Sequence, residues 1–249
     1  MKRKKISILL AIMLIAMVGF VSCSKDDDDK KNDPNDTNNG SNEQTSNMEI
    51  RVTENGEGTV VYKFDAQNRL TSINTSQKVM AVTYPSTNTI RFALYSTNDA
   101  FLYTLNDDGH VVREYLASEN WTLEYEYDNG YLKKMRENAT TITCTWENGN
   151  LKSQQSGTDT YTYSYGTILD KGNIIAPWMW SIRFDEFVLP IALLGKTSQY
   201  LVSSVTFTSS GGNKQINYRY ETDTSGRVTK VYKQENGGAE KPYMEIQYR

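Results

Sequence analysis

The sequence predicts an all-β domain, an antiparallel β-hairpin meander curled into a barrel or half-barrel around an apolar, partly helical plug segment. The first observation is a period of two: from Trp121 to Tyr127, aromatic and aliphatic residues alternate with Thr and Glu. Such alternation is typical of a half-buried strand. The second is the turn chemistry between such runs, with Asp-Gly at 108–109 and Asn-Gly at 129–130 and 148–149. These pairs supply the positive φ angles of tight hairpin turns, so we expect a dozen or more short strands.

The N-terminal segment, residues 1–22, predicts a signal peptide. Four basic residues, Lys2 to Lys5, precede an apolar run that ends at Phe20. That run is shorter than the roughly 20 residues of a membrane span. Small residues then lead into Cys23, which resembles a lipobox, although Phe20 stands where leucine is more common. The resemblance implies that Cys23 is lipidated and anchors the mature chain to a membrane. An uncleaved anchor helix is the alternative.

Residues 23–47 form the second unit, a lipidated cysteine followed by an acidic tether. Residues 24–47 contain no large apolar side chain, so they cannot bury enough surface to order themselves. A flexible coil of this length reaches roughly 25–30 Å. The run Asp26 to Asp29 behind Lys25 resembles the lipoprotein export signal of Bacteroidota-type bacteria. That resemblance implies an outer-membrane protein on the cell surface, with the periplasmic face as the alternative.

The net charge and the number of cysteines limit which binding partners and which disulfides we expect. Residues 1–22 hold four of the 27 basic residues and no acid, so the mature chain has 23 basic against 30 acidic residues, a net charge of −7. This balance disfavours nucleic acid, because phosphate binding needs clustered Lys and Arg. If Cys23 carries lipid, Cys144 has no partner for a disulfide within the monomer. Residues 141–146 alternate strictly, and Cys144 shares a face with Ile142 and Trp146, so we expect a small buried residue.

The remaining residues, 48–249, form a single β-rich domain with an internal repeat. Each unit is an aromatic pair one residue apart, an acidic or amide turn, and an apolar residue that opens the return strand. Units start at Tyr62, Tyr103, Tyr125, Cys144 and Tyr218. The segments YKFDAQNRLTS (62–72) and YETDTSGRVTK (220–230) resemble the YD repeats of bacterial Rhs and related shell proteins.

A closer resemblance is to Bacteroidota lipoproteins of unknown function that are described as having a porin-like fold. The shared features are the export signal, the acidic tether, the Tyr-rich hairpins and a late interruption. The resemblance implies a curled, water-exposed sheet and transfers no catalytic residue. Glu124 and Glu126 lie opposite the aromatic face of their strand, and charged side chains facing lipid are costly. We therefore expect the membrane attachment to depend on Cys23.

The late interruption is residues 166–204, where the alternation fails. Apolar residues at 184, 187, 188, 191 and 194 follow helical spacing. Pro190 would strain the middle of such a helix and Gly195 would end it. We expect two short helical turns that cover the apolar face of the sheet as a plug.

The sequence offers little for catalysis, metal binding or a cofactor. His110 is the single histidine and stands at a turn exit, where we expect solvent exposure. The equivalent slot in other units holds Arg69, Tyr131, Asn150 and Arg227. Most acids fall at what are expected to be equivalent hairpin turns, namely Asp65, Asp107, Asp108, Asp128, Glu147 and Asp223. Asp185 and Glu186 lie outside the repeats and would serve a glycoside hydrolase, the weakest of the alternatives. We expect no catalytic residue and no metal or cofactor.

Binding has better candidates. Trp178 and Trp180 lie one residue apart in the interruption, with Tyr200 nearby. Flat aromatic faces stack on sugar rings and are enriched at protein interfaces. The alternative is that both tryptophans belong to the core of the plug. We expect a surface-exposed binding or accessory module with a glycan or protein ligand. A scaffold lipoprotein with a fixed protein partner is the alternative.

Overall fold

The computed structural model describes residues 48–55, 58–75, 79–94, 99–171 and 191–249. Within these ranges the chain forms sixteen strands. They are β1 (Glu49–Glu54), β2 (Gly58–Phe64), β3 (Leu70–Asn74), β4 (Val79–Ser86), β5 (Thr89–Leu94), β6 (Ala100–Leu105), β7 (Val111–Leu116), β8 (Trp121–Asp128), β9 (Tyr131–Glu137), β10 (Thr140–Glu147), β11 (Asn150–Ser156), β12 (Asp159–Leu169), β13 (Tyr200–Ser209), β14 (Gly212–Thr222), β15 (Val228–Glu235) and β16 (Lys241–Tyr248). Short 3-10 turns span Ala117–Glu119 and Ile191–Leu194.

Each strand pairs antiparallel with its sequence neighbours, and the sheet closes. The closing pair is β1 with β16, in a register that places Val52 opposite Ile246. The all-β meander is therefore confirmed, and it forms a closed barrel and not a half-barrel. None of the described helical turns is long and apolar enough to cross a bilayer.

The inward side of the wall is an apolar core. Ile50, Tyr62, Val111 and Leu151 are each 0 % exposed. They belong to one continuous cluster of buried side chains contributed by strands all round the barrel. Because these positions alternate with exposed polar ones, the period of two in the sequence records which side chains enter the core.

The two ends of the barrel differ in what they carry. Since successive strands run in opposite directions, the turns of all the sequence repeats lie at one end, together with the start of β1. The backbone of Glu49 pairs there with that of Arg249. We call this the repeat-turn end and the opposite one the far end. The predicted tether, residues 23–47, precedes β1, which begins at the repeat-turn end.

The turns at the repeat-turn end fall into two types. In the five-residue loop 65–69, the Asp65 carboxylate accepts hydrogen bonds from the amides of Gln67 and Arg69. Asp223 does the same in 223–227, and Asn106 does so in 106–110. Asp107 and Asp108 lie inside that last loop. Asp128 and Glu147 instead end strands before two-residue Asn-Gly turns. The predicted equivalence of these acids is therefore wrong, because the turn lengths differ.

The interruption is shorter than predicted. β12 continues to Leu169 and β13 begins at Tyr200. The alternation fails at 166–169 because the β12–β13 register shifts between Tyr165 and Leu169, although pairing continues. Residues 172–190 lie outside the described residues, and the predicted plug remains a prediction.

Candidate functional site

Aromatic side chains join each repeat to the next at the repeat-turn end. A β-bulge places one extra residue on the return strand of each of the five repeat hairpins and of the β12–β13 hairpin, and it interrupts the ladder there. In six such hairpins among the described residues, the backbone carbonyl of the residue just before the extra one accepts a hydrogen bond from an aromatic side chain of the next hairpin. The pairs are Tyr84 Oη–Leu70 O (3.1 Å), Tyr127 Oη–Val111 O (2.6 Å), Trp146 Nε1–Leu132 O (2.7 Å), Tyr165 Oη–Leu151 O (2.6 Å), Tyr220 Oη–Val202 O (2.6 Å) and Tyr248 Oη–Val228 O (3.0 Å). We call these six contacts the aromatic clasps.

In four of the repeats the turn-exit residue packs on the clasp ring of the next hairpin. The guanidinium of Arg227 lies 4.2 Å from the ring centroid of Tyr248, and that of Arg69 lies 5.1 Å from Tyr84. His110 occupies the same slot, with its ring centroid 5.1 Å from that of Tyr127. The predicted solvent exposure of His110 is therefore wrong. The imidazole is half-buried, because it lies against the ring of Tyr127.

These contacts explain the repeated tyrosines. A buried carbonyl released by a bulge needs a donor, and a phenol at the second aromatic position of the next unit supplies it. Each such hydrogen bond contributes about 0.5–1.5 kcal/mol net. The tyrosines in the clasps are thus structural, and they are not a free surface for a ligand.

The described end of the interruption crosses the repeat-turn end. The amide of Lys196 donates to the carbonyl of Gly130 at 2.7 Å, and the amide of Gln199 donates to that of Gly149 at 3.1 Å. Ser198 is buried, and its Oγ accepts from the Leu151 amide at 3.1 Å. Leu194 enters the apolar core. Residues 191–199 therefore lie across two repeat turns and cover part of this end.

An apolar patch lies where the interruption leaves and rejoins the sheet. Leu169 is 55 % exposed and Ile168 is 40 % exposed. Tyr200, predicted to bind ligand, is half-buried directly opposite Leu169 in the register. Its amide is held by the side-chain oxygen of Asn150 at 3.1 Å. We call Ile168, Leu169 and Tyr200 the turn-end patch. Trp178 and Trp180, predicted with Tyr200, lie outside the described residues, as do Asp185 and Glu186.

Two polar residues inside the core are unexpected from the sequence. The first is Glu114 on β7, which is 1 % exposed. One carboxylate oxygen accepts from the Tyr103 hydroxyl and the other from the Tyr125 hydroxyl, both at 2.9 Å. Burial raises the pKa of Glu114 to about 7, although the two phenol hydrogen bonds lower it. A carboxyl group with this pKa gains and loses its proton near neutral pH.

The second is Gln154 on β11, at the corresponding place two hairpins later. Its side-chain carbonyl accepts from the Tyr163 hydroxyl at 2.8 Å. Its amide group lies 3.6 Å from the Cys144 sulfur. Cys144 is buried, as predicted, and burial raises the pKa of its thiol to about 11. This thiol is a packing residue and not a nucleophile.

The sequence carries a signal for both residues. We count from the first inward-pointing residue of a return strand, at position i. Because the bulge adds one residue, the next inward-pointing residue is at i+3 and not at i+2. Aligned on their turns, the pairs are Leu70/Ile73, Val111/Glu114, Leu132/Met135, Leu151/Gln154 and Val228/Val231. Strict alternation places Arg113 inside instead of Glu114, which is why the alternation rule misses the buried carboxylate.

The outward side of the wall is charged. On β8 the exposed carboxylates of Glu124 and Glu126 pair with Arg136 of β9 at 3.7 and 2.8 Å. Elsewhere on the outward side, Arg219 of β14 pairs with Glu240, which lies between β15 and β16, at 2.7 Å. Exposed pairs such as these add little stability. Their exposed charges suit contact with water and not with lipid. Among the residues that the structure describes, no cluster of three or more His, Cys, Asp or Glu side chains is arranged to hold a metal ion.

The comparisons with known proteins concern the fold. No protein-family model matches the chain, and no curated protein matches it. A solved porin-like protein from Bacteroides uniformis aligns with a TM-score of 0.63 at 17% identity, over 82% of this chain and 97% of that one. A porin-like protein from Bacteroides vulgatus aligns with a TM-score of 0.54 at 10% identity, over 79% and 97% of the two chains. At these identities the likeness shows a shared porin-like barrel fold.

Proposed function

We propose that this chain is a surface-exposed outer-membrane lipoprotein, anchored through Cys23, that acts as a binding or accessory module and not as a pore. The observation that supports it is the polarity of the wall. A membrane-spanning barrel has an apolar outer band and a polar lumen. Here the described side chains are arranged the opposite way, with Tyr62 and Leu151 buried inside and Glu124 and Arg136 exposed outside.

The turn-end patch is the surface we propose for the ligand or partner. Ile168 and Leu169 are among the most exposed large apolar side chains of the described residues, and Tyr200 adds an aromatic face beside them. Exposed apolar residues that adjoin one another mark interaction sites more often than scattered ones do. Trp178 and Trp180 belong to the segment that leaves and rejoins the sheet beside this patch, which is why we propose them with Tyr200.

A glycan array on a form that begins at residue 24 tests the proposed ligand class. The form keeps the tether and lacks the cysteine. Two variants remove the proposed surface, Trp178→Ala/Trp180→Ala and Leu169→Ala/Tyr200→Ala. Leu102→Ala is the matched control, because Leu102 is 37 % exposed on the wall of β6. Sugar binding that disappears in either double variant and persists in the control would identify a glycan-binding site. Binding that persists in both double variants would reject the patch.

The aliphatic character of the patch favours a protein partner as the second candidate. Cross-linking on intact cells, compared between wild type and Leu169→Ala/Tyr200→Ala, tests this scaffold role. A fixed cross-linked partner that is lost in the variant supports it. The anchor is tested separately by Cys23→Ser, which should release the protein from the membrane fraction. A Cys23→Ser protein that stays membrane-bound would reject the lipid anchor.

Channel activity is the property that would overturn the proposal as a whole. Because the inward side chains fill the barrel, purified protein added to planar bilayers should give no stepwise conductance. A porin from an outer membrane, run in the same bilayers, is the positive control.

A further inference from the structure

Three strands meet at the buried carboxylate of Glu114. Tyr103 on β6 and Tyr125 on β8 flank Glu114 on β7, and each donates one hydrogen bond to it at 2.9 Å. All three side chains are buried, and the two tyrosines belong to the apolar core. Arg113, the neighbouring cation on β7, points to the opposite side, where its guanidinium lies 5.3 Å from the Tyr115 ring. Among the described residues no lysine, arginine or histidine pairs with Glu114.

An ionised Glu114 side chain lowers the stability of the folded state in this position. A buried charge without a cation is unfavourable, even where hydrogen bonds reach it. Protonation removes that charge: the carbonyl oxygen still accepts from one phenol, and the new hydroxyl donates to the other phenol oxygen, whose own proton then points elsewhere. The equivalent residue in other repeats is apolar (Ile73, Met135, Val231) or the neutral amide of Gln154. Every other occupant of this position is thus uncharged.

We propose that the Tyr103–Glu114–Tyr125 cluster is a pH-responsive latch, which ties β6, β7 and β8 together when Glu114 is protonated and loosens this sector when Glu114 ionises. The direction follows from proton binding. A carboxyl group that holds its proton more tightly in the folded state contributes most stability below its unfolded pKa, here 4.5, and loses that contribution as pH rises to about 7.

Hydrogen exchange on the wild-type protein tests this without any mutation. After correction for intrinsic exchange rates, the opening constant of the β6–β8 amides should rise about 70-fold between pH 5 and pH 8.5. The β10–β12 sector is the internal control, because Gln154 holds the corresponding place there with a group that does not titrate. Equal pH responses in the two sectors would overturn the proposal.

The variant Glu114→Gln identifies the residue responsible. It should remove the steep pH response of the β6–β8 sector and protect that sector at pH 8.5. Glu124→Gln, on the exposed face of the neighbouring strand, should leave the response as in the wild type. A Glu114→Gln protein that keeps the wild-type response would refute the latch. If that variant does not fold, the comparison of sectors within the wild type still decides the question.

Discussion

Removal of one clasp hydroxyl should destabilise the barrel far more than removal of an exposed one. In Tyr220→Phe the ring stays in place, and the hydrogen bond from Tyr220 Oη to the Val202 carbonyl at 2.6 Å is lost. That carbonyl adjoins the bulge of the β12–β13 hairpin, where the register shifts opposite Tyr165. The change therefore leaves an acceptor without its side-chain donor inside the wall.

The expected loss follows from that geometry. Leaving a buried acceptor unsatisfied costs about 1–3 kcal/mol, compared with about 0.5–1.5 kcal/mol for the net worth of a typical hydrogen bond. We expect a loss of about 2 kcal/mol for Tyr220→Phe. With a urea m-value of about 2–3 kcal/mol/M for a domain of this size, the midpoint should fall by roughly 0.7–1 M.

Tyr232→Phe is the matched control. The Tyr232 hydroxyl also makes a short hydrogen bond, 2.7 Å to Glu221, but on the exposed side of the neighbouring strand. Water replaces that bond when it is lost, so the unfolding midpoint should change by less than about 0.2 M. Equal midpoints for the two variants would refute the reasoning that the clasps satisfy carbonyls freed by the bulges.

Further predictions concern glycine and cysteine positions. Gly195→Ala should cost more stability than Gly157→Ala, measured by urea denaturation. Both glycines have positive φ, but a Cβ at Gly195 would press on the Gly130 carbonyl, whereas the one at Gly157 meets open space. The Cys144 thiol should react with a maleimide only after unfolding, because it is buried and its pKa is raised to about 11. Labelling of the native protein at the rate of a free thiol would contradict that burial.

The strands and turns of this barrel are predictable because both depend on local chemistry. The alternation along β8 follows from the pleat, and the Asn-Gly turn at 129–130 follows from the φ angles it needs. Closure between β1 and β16 is not local. It joins residues nearly two hundred positions apart, and no short pattern records it, so the sequence does not distinguish a barrel from a half-barrel, whereas the pairing of Val52 with Ile246 does.

Two departures from the alternation pattern have the same cause, which is a register shift. A bulge after Val111 turns Glu114 inward, and a shift after Tyr165 breaks the alternation while β12 continues. Alternation assigns each side chain to a face only while the register is unbroken, so every residue past a bulge is assigned to the wrong one.

The number of strands in this barrel does not determine what its interior does. Sixteen strands in a circular membrane barrel surround an aqueous channel. The inward side chains described here, such as Ile50 and Val111, are completely buried in a continuous apolar core. The shared porin-like fold therefore describes the path of the backbone, whereas the inward side chains determine whether the interior of the barrel is open or filled. Since those side chains fill it, a ligand has the ends and the outer wall available. We propose the repeat-turn end for the ligand, because the turn-end patch lies on it and the predicted tether precedes β1 there.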